Sequence, residues 1–497
     1  MSPPENKFTP GPSPKACWAF FLVLALLALA VRLPQLGVRP MHTDESINAY
    51  IVGQLLAGES FHYDPQDRHG PALAAETLPV VKLTGAKNFA DLTETQLRVV
   101  PALTGAATVL LFGAGVEMFG FAVCVVAALL FAFAPLPVYY SRDFIHETLF
   151  VAATLGLILF GGRALKNDSV SSATVAGFCA ALMLASKETA VIHFFALACA
   201  AFAARPKNHR SGIPGAKCII AAFVTFIAVT IFLFTWFGQH WSGLADLFRA
   251  IPHLASRAGG EGHEKPFWYY AVLLSSNWSS ALLSALALVG LVIAGLEIRA
   301  NPILKFTLIY FLAVFTIYSA IPYKTPWLAL NLWLPTALLA GVAVQWFWWK
   351  LGETSGHWFF LAAVLIIAAA AGHDVNKLVF KMPADEKNPY AYAQTSEDLL
   401  RLPARLEELV RQNGKPNPRI AVVAADPWPL PWYLRKFSQV GFWQPGQPAG
   451  AADFFITSTD AAEKMAGQLK NFRPEFFGVR PDALLILWAP LPPETKP

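Results

Sequence analysis

Apolar stretches long enough to cross a bilayer recur through the first three quarters of the chain and then stop. A hydrocarbon core of roughly 30 Å needs about 20 apolar residues per helix. Eleven stretches meet or approach that length, near 17–36, 99–116, 119–138, 148–162, 173–186, 189–204, 218–237, 278–296, 306–321, 327–349 and 358–372. Several fall short of the ideal length, and these must extend into their flanks or tilt. Arg32 and Pro34 stand where a signal-peptide cleavage site needs small residues, so the first stretch reads as a retained helix.

Orientation follows from the basic residues of the short loops. With the N-terminus inside, the inner loops hold Arg163, Lys166, Arg205, Lys207, Arg210, Lys217, Arg299, Lys305 and Lys350, and the outer turns hold only Arg142, Lys187 and Lys324. An odd number of spans then puts the C-terminus outside. Trp346, Trp348 and Trp349 stand at a span end, where aromatic residues anchor helices to the interface.

Between the spans, an outer loop at 37–97 carries two apolar runs, 47–56 and 72–83, too short to cross and expected as helices on the membrane surface. A second loop, 238–267, holds an amphipathic segment at 241–251 and a Gly-rich charged run at 259–265, readable as a lid or as a plain connector. After Gly372 the pattern changes to a helical run at 397–412 and short β-type runs at 420–425, 454–457 and 484–487. The expected architecture is a membrane domain at 1–375 and a small extracytoplasmic α/β domain at 376–497.

Composition agrees and narrows the function. With 55% hydrophobic and only 14% charged residues, the chain is too apolar for a soluble enzyme. The five cysteines have no C-x-x-C spacing, and the small basic excess is scattered rather than clustered, which removes zinc motifs and nucleic acid. The C-terminal segment has neither a G-x-G-x-x-G nor a P-loop, so no nucleotide is expected.

Ionisable groups gather at the expected outer ends of the spans. Asp44 and Glu45 follow the first span. Tyr63 and His69 lie farther along the same loop, in Tyr63-Asp64 and His69-Gly70-Pro71. Arg142, Asp143 and Glu147 lie between spans three and four, Lys187-Glu188 between five and six, and Tyr323-Lys324-Thr325-Pro326-Trp327 between nine and ten. Charges at a membrane boundary are costly unless paired or facing water, and several at one level suggest a shared polar cavity. Carboxylates with cations, and no Ser-His-Asp spacing, suit proton abstraction from an acceptor beside a phosphate leaving group. Arg142, Lys187 and Lys324 are the phosphate candidates. Asp143 and Glu147, four apart, are expected on one helical face as a metal pair. Each group also has a structural reading: a cap for Asp44 and Glu45, a salt bridge for Arg142, a closed turn for Lys187-Glu188.

The Asp44-Glu45 pair, the Leu97-Arg98-Val99-Val100-Pro101-Ala102-Leu103-Thr104-Gly105 opening of the second span, and Ser141-Arg142 with a following carboxylate resemble the GT-C-fold glycosyltransferases. Within that superfamily the sequence is similar to the dolichyl-phosphate-mannose protein mannosyltransferases and the aminoarabinose transferases of lipid A. The similarity covers about the first 200 residues. His69-Gly70-Pro71, the Tyr323–Trp327 stretch and Asp426-Pro427-Trp428-Pro429-Leu430-Pro431-Trp432-Tyr433-Leu434-Arg435 look most like its flippase-activity-associated branch.

This resemblance implies an inverting transfer of a hexosyl or pentosyl group from a polyprenyl-phosphate donor to a protein, lipid or glycan acceptor at the outer face of the inner membrane. Asp44 is then the general base, and Glu45 orients the acceptor or holds a metal, magnesium or manganese. Tyr63, His69, Glu188 and Tyr323 contact substrate. The competing readings are a lipid-linked glycan flippase or its accessory factor, and a scaffold. The transferase reading expects Asp44 to meet Arg142, Lys187 and Lys324 in one pocket.

Overall fold

The structure, a computed structural model, describes residues 13–66, 69–205, 215–260, 262–351 and 354–491. Lys207 and Arg210, counted among the inner basic residues, lie outside the described residues, as does Glu261 of the charged run.

Each of the eleven apolar stretches falls on a helix. They are Pro14–Arg32, Glu94–Phe119, Phe121–Phe133, Glu147–Asn167, Val170–Ser186, Ala190–Ala203, Ala216–Phe234, Trp278–Leu296, Pro302–Ala320, Ala329–Lys350 and Thr354–Val375. Among the described residues eight helical segments are long and apolar enough to cross a membrane, and Phe121–Phe133, Val170–Ser186 and Ala190–Ala203 are shorter. The protein is a multi-pass membrane protein.

Membrane helices pack through small residues that let backbones approach. A Cβ on Gly290 would stand 1.9 Å from the Leu339 carbonyl oxygen, so Trp278–Leu296 and Ala329–Lys350 meet at a spacing only glycine allows. The 238–267 loop carries a helix, Ser242–Arg257, longer than the amphipathic segment legible in sequence because it continues through Pro252. Phe248 and Ile251 are exposed, as suits a helix lying on a lipid surface. The loop's far end is pinned rather than free: Glu264 bridges Tyr323 in antiparallel fashion, and the Lys265 amide donates to the Pro322 carbonyl at 3.1 Å.

The chain forms two compact units. One comprises Met1–Pro34, Ser60–Thr77 and Arg98–Lys381; the other comprises Gln35–Glu59, Leu78–Leu97 and Met382–Pro497. The first long loop is therefore divided, and most of it belongs with the C-terminal segment.

That second unit is built on a five-stranded sheet. Its strands are β1 (Ile420–Val423), β2 (Val440–Trp443), β3 (Phe454–Ser458), β4 (Phe472–Arg480) and β5 (Ala483–Pro490), in the order β2-β1-β3-β5-β4. β1 runs parallel to β2 and β3, while β5 is antiparallel to β3 and β4. The three strands legible in the sequence, β1, β3 and β5, are the central ones. Both edges escape the pattern, since β2 is half-exposed around Gly441, and β4 carries Arg473, Pro474 and Glu475. Edge strands are commonly guarded by charge and proline, which erase the apolar alternation. The helical run resolves into a 3-10 turn, Glu397–Leu400, and a helix, Arg401–Asn413, burying Leu402, Leu406 and Leu409.

The loop segments of this unit are fastened to its C-terminal part. The Tyr433 hydroxyl accepts from the Met41 amide at 3.0 Å, and the Thr395 hydroxyl donates to the Met41 carbonyl at 2.6 Å. Gln394 donates to the Pro40 carbonyl at 3.1 Å. Trp432 Nε1 donates to Glu94 at 2.8 Å, and Arg435 reaches the Leu92 carbonyl. Trp432 and Tyr433 are thus anchors for the outer-loop segments.

Candidate active site

The Asp44-Glu45 pair opens the helix Thr43–Leu56, and its two carboxylates are used differently. His42 is the N-cap. Its Nδ1 accepts from the Asp44 amide at 3.1 Å, while Glu45 Oε2 accepts from the His42 amide at 3.0 Å, completing a reciprocal cap. Glu45 is fully buried, with Arg39 4.0 Å away. The capping role therefore falls to Glu45. Asp44 is half-buried, and its carboxylate has no hydrogen-bond or ion-pair partner among the described residues. His42 Nε2 contacts the Tyr392 carbonyl at 3.1 Å, so the backbone under Asp44 is held from the C-terminal segment of the same unit.

The other unit gathers five of the expected residues. Tyr63 donates to Glu188 Oε1 at 2.7 Å, and His69 Nδ1 lies 3.0 Å from Glu188 Oε2. The His69 ring meets the buried His146 ring edge-on at 5.2 Å. A Cβ on Gly70 would stand 2.2 Å from the Ala185 carbonyl oxygen, so the His-Gly-Pro turn presses directly on the end of Val170–Ser186. The next residues, Lys187 and Glu188, carry the cluster onward: Lys187 Nζ is 2.5 Å from Glu147, with both side chains buried.

Burial pushes the Glu188 carboxyl up, but the His69 ring and the Tyr63 hydrogen bond outweigh it and hold it down to about 2. Burial first, and the Glu188 charge second, push the Tyr63 hydroxyl well up, so it remains a donor. Burial, aided by His69 and Lys187, drives His146 well below its usual value. A carboxyl depressed in the folded state stabilises fully above its unfolded value near 4.5, and that stability disappears as pH falls through about 2. At about 1.4 kcal/mol per pKa unit, the contribution is on the order of 3 kcal/mol. Glu188→Gln is expected to lower the melting temperature at neutral pH and to flatten the acid limb of the stability curve between about pH 4.5 and 2. Thermal unfolding in detergent across that range checks it; parallel curves for both proteins would refute it.

The expected phosphate cations each have protein partners. Arg142 donates to the carbonyls of Arg32 and Pro34 and lies 4.8 Å over the Phe380 ring. Lys324 donates to the Lys265 carbonyl at 3.0 Å and the Ile321 carbonyl at 2.5 Å, and burial lowers its pKa. Tyr323 accepts from Arg257 at 3.1 Å and packs on the His263 ring, tying the turn to the end of the Ser242–Arg257 helix.

The metal pair requires correction. Glu147 begins the Glu147–Asn167 helix, but Asp143 precedes it in a non-helical turn, so the two do not share a helical face. Glu147 is already engaged by Lys187, and no three His, Cys, Asp or Glu side chains gather into a metal site among the described residues.

Sequence reasoning missed Arg32. Its buried guanidinium donates to Ser141 Oγ at 2.7 Å and to the carbonyls of Phe131 and Ala132, joining the first span to the turn that carries Arg142. The signal was present, since an arginine ending an apolar span is unusual, but it served only to exclude cleavage. A buried network of His193 with Tyr310 and Tyr318, at 2.8 and 3.1 Å, also escaped, because isolated polar residues in apolar helices do not reveal their partners.

Residues 83–233 match the sequence model for dolichyl-phosphate-mannose-protein mannosyltransferase. No curated protein sequence matches the chain. Among solved structures, ArnT from Cupriavidus metallidurans in complex with undecaprenyl phosphate superposes with a TM-score of 0.62 at 16% identity, covering 94% of this chain and 98% of that one. The chain has the GT-C glycosyltransferase fold. Two further GT-C structures resemble it. The oligosaccharyltransferase AglB from Archaeoglobus fulgidus has a TM-score of 0.56 at 14% identity, covering 96% of this chain and 76% of that one. The arabinofuranosyltransferase AftD from mycobacteria has a TM-score of 0.51 at 12% identity, with this chain 96% covered and spanning 39% of AftD.

Proposed function

We propose that this GT-C chain transfers a hexosyl or pentosyl group from a polyprenyl-phosphate donor to a protein, lipid or glycan acceptor at the outer membrane face, with inversion at the anomeric carbon. Support comes from the fold and from what its neighbours hold: undecaprenyl phosphate in ArnT, and dolichol-phosphate with an inhibitory peptide in AglB. The carrying observation is the contrast between adjacent carboxylates, Glu45 consumed by a helix cap and Asp44 left without a partner among the described residues.

In a single displacement the acceptor oxygen attacks the anomeric carbon. The bond from that carbon to the phosphate oxygen breaks, the leaving phosphate keeps its electron pair, and the acceptor proton passes to Asp44. One base suffices, because a phosphate leaves without protonation when cations stabilise its charge. Arg142, Lys187 and Lys324 are assigned that stabilising role, with Tyr63, His69, Glu188 and Tyr323 as substrate contacts. An ammonium has three donors, and Lys324 spends two on carbonyls, leaving one for an anion.

The test uses membranes containing the full chain and labelled polyprenyl-phosphate sugar extracted from a deletion strain. Release of polyprenyl phosphate, with the label joined to an acceptor through a glycosidic bond of inverted anomeric configuration, is expected. Movement of the lipid across the bilayer with its sugar-phosphate bond intact would make the protein a flippase instead.

A further inference from the structure

In open α/β sheets, ligands bind in the crevice beyond the carboxyl ends of parallel strands, where the strand order reverses. The sheet of the second unit has one such point. From β1 the chain passes to β2 on one side and then returns to β3 on the other, so the reversal lies between β1 and β3. A cavity of about 130 Å³ opens there, room for about four waters at roughly 30 Å³ each. Its walls include Asp426 and Trp428 after β1, Ser458 at the end of β3 with Asp460 beyond it, and Arg480 and Leu484 from the β4–β5 hairpin. These first two residues open the Asp426–Arg435 motif, whose Trp432, Tyr433 and Arg435 serve as anchors and whose beginning has no other assignment.

We propose that this cavity is a saccharide-binding site. Arg480 and Asp426 are joined at 3.1 Å and stay partly open to solvent, with side-chain exposures of 24% and 50%. Asp426 also accepts from the Trp428 amide at 3.1 Å. A carboxylate beside a guanidinium offers an acceptor and donors at the spacing of neighbouring sugar hydroxyls. The Ser458 hydroxyl hydrogen-bonds the Asp460 carboxylate, and Asp460 is exposed at the rim, adding a second acceptor to the wall. Trp428 and Leu484 supply apolar surface for the C–H face of a sugar ring, and Trp428 is braced edge-on by Tyr50 at 5.9 Å. Two carboxylates against one guanidinium leave the wall net negative, which disfavours phosphates and nucleotides and favours a neutral or amino sugar. Tyr50 belongs to the same helix as Asp44, six residues on, or about 9 Å along the axis at 1.5 Å per residue. The cavity and the candidate base therefore share one rigid support, as suits a subsite that holds the glycan part of an acceptor. The saccharide assignment itself does not depend on Asp44 being the base.

Saturation-transfer NMR on the full-length protein in detergent, with the methyl glycosides of glucose, galactose, mannose, arabinose and glucosamine as probes, tests this. At least one probe is expected to bind. Trp428→Ala and Asp426→Asn should weaken it about tenfold or more, and Asp44→Asn should leave it unchanged. Should Trp428→Ala fail to fold for want of its Tyr50 contact, Asp460→Asn, at an exposed position, gives the same readout. Absence of binding by every probe, or binding untouched by the cavity variants, would overturn the site. Binding lost in Asp44→Asn alone would move the sugar to the candidate active site and equally overturn it.

Discussion

Asp44→Asn is expected to lower sugar transfer by about 10²–10⁴-fold, the usual worth of a general base, and to act on kcat more than on KM. Asparagine keeps the size and helix position of the side chain but cannot take the acceptor proton. Because the Asp44 carboxylate has no partner among the described residues, the change removes no cap and no ion pair, and melting should move little. Glu45→Ala is the internal control. It deletes the reciprocal cap on His42 and the partner of buried Arg39, so it should lower stability by at least the ~1 kcal/mol of a lost cap. Initial rates over donor and acceptor concentration, set beside thermal unfolding in detergent, separate the two. Unchanged turnover in Asp44→Asn would end the assignment of Asp44 as base.

Lys187→Met should be the most destabilising single change. It would strand the Glu147 carboxylate, whose side chain is only 2% exposed, without its ammonium. Breaking one side of a buried ion pair costs about 3–5 kcal/mol, mostly from leaving a charge unpaired where water cannot reach it. Lys187→Met with Glu147→Gln removes both charges and should regain much of the loss, since a neutral pair has no ion to desolvate. Melting temperatures of the wild type, both single variants and the double variant form the required cycle. If Lys187→Met melts like the wild type, the pair contributes no stability, and Glu147 is solvated in some other way.

Chain length and apolar patterning were enough to locate the eleven apolar helices and the three central strands of the sheet. Those properties are local: a span is recognised by about 20 consecutive apolar residues whatever surrounds it. The adjacent carboxylates were equally visible, but not their division of labour, because Glu45 became the cap only once His42 turned its amide toward it. Nor could spacing show that Asp143 lies before the helix that Glu147 begins. The grouping of Tyr63, His69, Glu147, Lys187 and Glu188 joins residues up to 125 positions apart. The fastening of the Asp44 helix through Tyr433, Thr395 and Tyr392 joins residues 350 or more positions apart. Hydrophobicity is written along the chain and sets which segments enter the bilayer. Hydrogen bonds and ion pairs depend on distance and angle across the fold, and those exist only once the helices have packed.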